Sequence, residues 1–291
     1  MASQRDWATP PEFRPLPFRL RDAITVEQFT GHQKLGVMYQ PDDCSFPLQT
    51  STQCLTGLGA AKESTGGANW RGADPFAVYT WIDCGLVGVG EDELRARTLR
   101  AHQNNVQTVV EEVFWTGGDF GTHQFLATET PVTEASGGSV VNLQTSAETI
   151  TGTYDIVKAI SVLEGAMAGC YGGVPLIHVP RSVTPFLSDH HLVTKAGQVL
   201  KTDNGSIVVP GPGYPGTGPA GQAATADTVW IYATGNVKML QSATQFMARD
   251  AAELLLRSTN STVLILEQWF MLFWDCCHFA VQVDLPNSSE A

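Results

Sequence analysis

Apolar and polar positions along this 291-residue chain follow two rhythms, one helical and one strand-like, and the longest regular stretch runs from Glu91 to Gly118. It reads EDELRARTLRAHQNNVQTVVEEVFWTGG, with Val106, Val109, Val110 and Val113 at the i, i+3, i+4, i+7 spacing of one helical face. Three acids in the first turn favour a start at Glu91, and Gly117-Gly118 supplies a stop. The pattern predicts a helix of about 25 residues and roughly 37 Å. Arg95, Arg97, Arg100 and His102 in its exposed first half, and Glu111-Glu112 near its end, oppose the helix dipole, so something outside the helix must compensate. A second helix follows from Ile156, Ile160, Leu163, Met167 and Cys170, capped by Thr153 or Asp155 and ended by Gly172-Gly173. A third is predicted over Ser242 to Arg257, with Phe246, Ala252 and Leu256 inward.

Between these lie short strand-like runs. Pro75 to Cys84 (PFAVYTWIDC), Ser139 to Leu143, Val174 to Val179, Val229 to Ala233 and a pair of strands within Leu192 to Val209 are rich in β-branched and aromatic residues. Thr262 to Phe273 and Cys277 to Leu285 are expected as a closing pair. The polar, glycine-rich Gly57 to Asp74 reads as the projecting tip of a long hairpin, and Pro210 to Gly221 (PGPGYPGTGPAG) as a loop. Residues 1–34 hold Pro10, Pro11, Pro15 and Pro17 and show no period, which predicts an extended arm. Its apolar residues Trp7, Phe13, Leu16, Phe18 and Leu20 need a neighbouring surface to cover them. No repeat of fixed period is present, and the order of elements is that of an α+β fold.

Charge and chemistry narrow the function. A net charge of −12 with only 17 Lys and Arg disfavours a groove that grips nucleic acid, but allows a wall that faces DNA without holding it. The N-terminus has no apolar run of signal-peptide length, so a cytoplasmic site of synthesis is expected. The longest apolar run, Val263 to Val283, is interrupted by Glu267, Gln268, Asp275 and His278 and cannot span a membrane. Cys44, Cys54, Cys84, Cys170, Cys276 and Cys277 form no CxxC and are expected as buried free thiols, although Cys44 and Cys54 could close a loop under oxidising conditions. Gly211-Pro-Gly213-Tyr-Pro-Gly216 spells GxGxxG, but Pro212 and Pro215 lack the N–H groups that a pyrophosphate needs and no helix follows. Asp189-His190-His191 and Asp275 to His278 read as strand residues, whose neighbours point to opposite faces and cannot share an ion. Glu111-Glu112 and Asp42-Asp43 are expected as solvated surface. No catalytic, cofactor-binding or metal-ligating residue is therefore expected. A soluble metal-dependent or Cys/His hydrolase is the alternative from a different class.

The order of arm, hairpin, long helix ending in Phe114-Trp115-Thr116-Gly117, αβ unit, glycine-proline loop and closing strands resembles the major capsid protein of tailed bacteriophages, of the actinobacteriophage type, whose fold is shared with encapsulins. The likeness is carried by PFAVYTWIDC, VEEVFWTGG, YDIVKAISVLEGAMAGCYGGVPLIHVPR, VLKTDNGSIVVPGPGYPG and VWIYATG, and covers about Leu35 to Leu285. It implies an HK97-like capsid fold, with residues 1–34 as N-terminal arm, 35–90 as strand and extended E-loop hairpin, 91–153 as spine helix and peripheral domain, 154–234 as axial domain and 235–291 as a return to the peripheral domain. It implies a homo-oligomer of pentamers and hexamers in an icosahedral phage head, assembled in the bacterial cytoplasm and located in the virion. Portal and scaffolding proteins, a decoration protein, and packaged DNA without specific binding are the implied partners, with no membrane. The residues implied at subunit interfaces are Trp7, Phe13, Phe18, Lys62, Trp70, Arg71, Arg95, Arg100, Gly211, Gly213, Tyr214 and Gly216. An encapsulin-like compartment shell is the nearest alternative.

Overall fold

In the computed structural model of the chain, residues 11–41, 70–85, 90–118, 124–129, 131–136, 139–225, 227–247, 255–256 and 261–285 are described. The predicted hairpin tip at 57–69 and the cysteines Cys44 and Cys54 lie outside them. Helix α1 (Leu20–Ala23) and strands β1 (Thr25–Gln28), β2 (Val37–Tyr39), β3 (Trp70–Ala73) and β4 (Phe76–Gly85) precede the long helix α2 (Glu91–Thr116), which has 26 residues. Gly117 ends it at φ 85°, donating its N–H to the Val113 carbonyl at 2.8 Å. A Cβ there would strike the Phe125 ring, so glycine is needed for both conformation and space.

The charge problem at the start of this helix is solved within it, and at its end Glu111 is met by amides from outside it. Arg95 bonds Glu91 at 2.9 Å and Arg97 bonds Glu93, so each cation near the start is offset by an acid one turn earlier. His102 is not part of the exposed face. The buried stripe is Leu94, Thr98, His102, Val106, Val110 and Phe114, and Val109 faces solvent. Because four residues advance about 400° around a 3.6-residue helix, this stripe turns by about 40° per step. The contact face thus rotates along α2 and serves different neighbours at its two ends. Leu94 packs on Leu264, while Phe114 enters the largest aromatic cluster.

After α2 come β5 (Val132–Ser136), β6 (Ser139–Gln144), β7 (Glu148–Tyr154), α3 (Ile156–Cys170), β8 (Leu176–Pro180), α4 (Thr184–Asp189), β9 (Thr194–Ala196), β10 (Val199–Lys201), β11 (Ile207–Gly211), β12 (Thr228–Thr234), β13 (Val237–Gln241), β14 (Gln245–Phe246), β15 (Leu255–Leu256), β16 (Ser261–Trp274) and β17 (His278–Asp284). They form three sheets. A seven-stranded sheet runs β7-β17-β12-β8-β11-β10-β9, and α3, capped by Asp155 accepting from the Lys158 N–H, packs on it with Ile156, Ile160, Leu163 and Met167. A second sheet is built on β16, which pairs with β4 from Ser261 opposite Gly85 to Phe270 opposite Phe76, then with β13 up to Trp274. The third is β2-β3-β6-β5.

Four expectations are corrected here. β16 and β17 do not pair; a turn through Asp275 to Cys277, with Cys277 at φ 61°, carries the chain from one sheet into another. Gln245–Phe246 and Leu255–Leu256, within the predicted third helix, are short strands on β16, because the long ribbon offers edges that a sequence pattern does not reveal. The second half of the arm is built into its own chain: Leu20 is buried, and β1 adds to β13 in parallel. Cys170 and Cys277 are not free thiols but a disulfide that ties the end of α3 to the start of β17, and Cys276 is disulfide-bonded as well. The Cys170–Cys277 bridge spans 107 residues. Cys170→Ser should therefore lower stability by about 2–4 kcal/mol in oxidising buffer. Denaturant unfolding should show the gap between wild type and variant closing once reductant is added to both.

Candidate assembly interface

The last two turns of α2 lie where the seven-stranded sheet meets the β16 sheet. Phe114 is fully buried, edge-on to His178 of β8 (5.5 Å, 68°) and to Trp274 of β16 (5.7 Å, 83°). Trp115 stands edge-on to Tyr232 of β12 at 4.8 Å and against Tyr214 at 4.9 Å. Its indole N–H donates to the Thr217 carbonyl at 2.9 Å, which also accepts the Tyr232 hydroxyl at 3.1 Å. The glycine-proline loop is held down by these bonds. A Cβ at Gly213 would collide with the Thr108 carbonyl and the Glu112 amide of α2, and one at Gly218 with the Trp230 ring.

Glu111 sits beside this contact with no exposed surface, contrary to its expected solvation. One carboxylate oxygen accepts the Leu20 N–H at 3.0 Å and the other accepts the Gly213 N–H at 3.2 Å. A single side chain thus joins the arm, the long helix and the loop. Burial pushes its pKa up to about 7, against the pull of those two amides and of Arg19 and Arg181. His178 is enclosed too. The Thr234 hydroxyl gives its proton to the Gly235 carbonyl, so it accepts from His178 Nε2 (2.9 Å), leaving Nδ1 to accept the Tyr214 hydroxyl at 3.1 Å. This is a neutral imidazole. Burial, with His278 nearby, lowers His178 to about 3, and burial lowers His278 to about 4.

The residues singled out in the sequence separate into two groups. Gly211, Tyr214 and Gly216 are buried and Gly213 is pressed on α2: an added Cβ would meet the Tyr214 ring at Gly211, Pro180 and Val229 at Gly216, and the α2 backbone at Gly213. Arg71 donates to the Asp275 carbonyl at 2.6 Å, Trp70 is half-buried in β3, and Arg95 lies 4.9 Å over the Phe246 ring. Phe18 is half-buried against the α3 core. Phe13 and Arg100 face outward. Trp7 and Lys62 lie outside the described residues. Missed from the sequence is a row of exposed aromatics, Tyr79, Trp81 and Trp269, on the face of the β4–β16 ribbon away from α2. The available signal was PFAVYTWIDC itself, which carries large apolar residues on both alternations.

A Cys/His or metal-dependent hydrolase would need those ligands together in a cleft. The cleft of about 790 Å³ along α3 is lined by Ser161, Glu164, Thr202 and Asn204 but by no histidine or cysteine. Glu164 there is saturated by Thr202, Asn204 and Ser206. Asp189-His190-His191 ends the short helix α4 and is exposed, not in a strand. Among the described residues no three His, Cys, Asp or Glu side chains are placed to hold a metal ion.

No family model matches the sequence, and no curated protein matches it. Solved shells match the fold along nearly its whole length. The capsid of an empty GTA particle, computed with C5 symmetry, superposes with a TM-score of 0.59 at 9% identity, over 98% of this chain and 96% of that one. The holo-SrpI encapsulin complex from Synechococcus elongatus gives 0.56 at 11% identity, over 99% and 95%. A chain of Mycobacterium phage Bobi gives 0.51 at 12% identity, over 98% and 96%. This chain has the α+β, HK97-like fold of phage capsid and encapsulin chains.

Two outcomes follow from the junction. The stability that Glu111 contributes is full below pH 4.5 and lost as pH rises through about 7, because its folded pKa is raised. The two histidines act oppositely: below 6.5 the unfolded chain takes up protons that the folded chain refuses. The difference in unfolding free energy between wild type and Glu111→Gln cancels the histidines, and should grow in favour of wild type from pH 8 to pH 5 in urea titrations. Gly213→Ala should cost about 1–3 kcal/mol by overpacking the loop on α2, read by the same titration.

Proposed function

We propose that this chain is the major capsid protein of a tailed bacteriophage, assembling into the pentamers and hexamers of an icosahedral head around double-stranded DNA. The observation that carries this reading is the match of the whole chain, rather than of one module, to shell-forming chains. Two properties support it. Residues 11–17 stand exposed with Phe13 and Leu16 uncovered, as an arm completed by another copy would. The net charge of −12 suits a lining that confines DNA without adhering to it. In this reading α2 is the spine of a peripheral domain, the α3 sheet belongs to an axial domain, and the segment before β4 forms the extended loop. The shell is non-enzymatic and resides in the virion, with portal, scaffolding and decoration proteins as its partners.

The match to an encapsulin complex favours a second reading, a compartment shell enclosing cargo enzymes. Contents decide between them: particles from the native source should hold nuclease-protected double-stranded DNA, and a cargo enzyme in its place would select the compartment. Light scattering and electron microscopy of expressed protein test the common premise. Closed particles are expected, and a species that stays at 31.3 kDa at high concentration would sink both readings. Deleting residues 2–16, which stops short of the buried Leu20, should abolish particles while leaving the melting temperature of the subunit unchanged.

A further inference from the structure

The outer face of the β16 sheet is covered over half its length and bare over the other half. Near β13, Met271 and Phe273 pack with Phe29, which follows β1, and with Val37, which opens β2. Beyond them the same face continues through Trp269, Glu267 and Ile265, opposite Ala77, Tyr79 and Trp81 of β4. Tyr79 is 62% exposed, Trp81 61% and Trp269 39%. Thr80 bonds His102 of α2, so its odd-numbered neighbours point to the side away from the helix. Glu267 sits among the rings, accepting the Trp269 indole N–H, and pairs with no cation among the described residues.

One segment of this chain has the complementary chemistry. Residues 11–17, Pro-Glu-Phe-Arg-Pro-Leu-Pro, are exposed, with Phe13 47% and Leu16 46% accessible and Arg14 in no ion pair among the described residues. Prolines without N–H groups cannot extend a sheet edge, but a polyproline-type strand stacks its rings on aromatic rows. Phe13 to Pro17 would span about 12 Å at 3.1 Å per residue, against about 13 Å from Ile265 to Trp269 at 3.3 Å. In its own copy the segment is tied to the other side of the sheet, because Pro17 accepts from Arg181 and Leu20 donates to Glu111.

We propose that the Tyr79–Trp81–Trp269 row is the docking surface for residues 11–17 of a second copy, with Arg14 paired to Glu267. The proposal rests on the shell reading and specifies which face receives the arm. In particles assembled from equal parts isotopically heavy and light chains, Phe13→p-benzoylphenylalanine should photo-crosslink to Tyr79, Trp81 or Trp269 of the other isotope. Crosslinks that fall elsewhere, or none between copies, would overturn it. Were no particles to form, the shell reading would have failed by itself, and a fluorescein-labelled peptide of residues 11–19 titrated onto the full-length subunit would then decide. Saturable binding weakened at least tenfold by Trp81→Ser and by Glu267→Lys upholds the docking surface. Absence of saturable binding, or binding indifferent to both substitutions, refutes it.

Discussion

Two aromatic side chains at the end of one helix, Phe114 and Trp115, bring together parts of the chain that would otherwise have no reason to meet. Phe114 reaches His178 in one sheet and Trp274 in another, and Trp115 fixes the loop through Thr217. Rings of this size bury 150–250 Å² each, and truncating one in a core costs on the order of 3–5 kcal/mol. Their position at the C-terminal end of α2 matters as much as their size. Because the buried stripe spirals, one rod lies on the β4–β16 ribbon at its start and penetrates between two sheets at its finish.

Much of this was legible in the sequence, and the parts that were not share a cause. The long helix, its stop at Gly117, the Asp155-capped α3 and the strands after it follow from periodicity and glycine placement, which are local. The polar members of the buried stripe were invisible to a search for apolar spacing. His102 and Glu111 are buried because partners outside the helix satisfy them, Thr80 and Gln268 for His102 and Leu20 and Gly213 for Glu111, while Thr98 turns its hydroxyl back on the Leu94 carbonyl one turn earlier. The same holds for the glycine-proline loop, whose small residues were read as room for other copies. At Gly213 the structure shows room for α2. The disulfide spans 107 residues and joins elements whose proximity no spacing could announce.

Buried ionisable groups often mark catalysis, but several polar side chains of this chain are engaged in holding segments together. His178 has a partner at each nitrogen, Glu164 accepts three side-chain donors, and Glu111 holds an amide on each oxygen. Each acts as a fastener between segments of the chain. A chain with 16% charged residues spends its interior polarity on joining segments.

The ten paired residues of the β4–β16 ladder also have a mechanical meaning. Rooted near Phe270, where β13 takes over as the partner of β16, the ribbon extends about 30 Å from its base. It is braced along that length, because Leu94 packs on Leu264 and His102 bonds Thr80 and Gln268, so a load on its far end passes through α2 to the aromatic junction at Phe114 and Trp115.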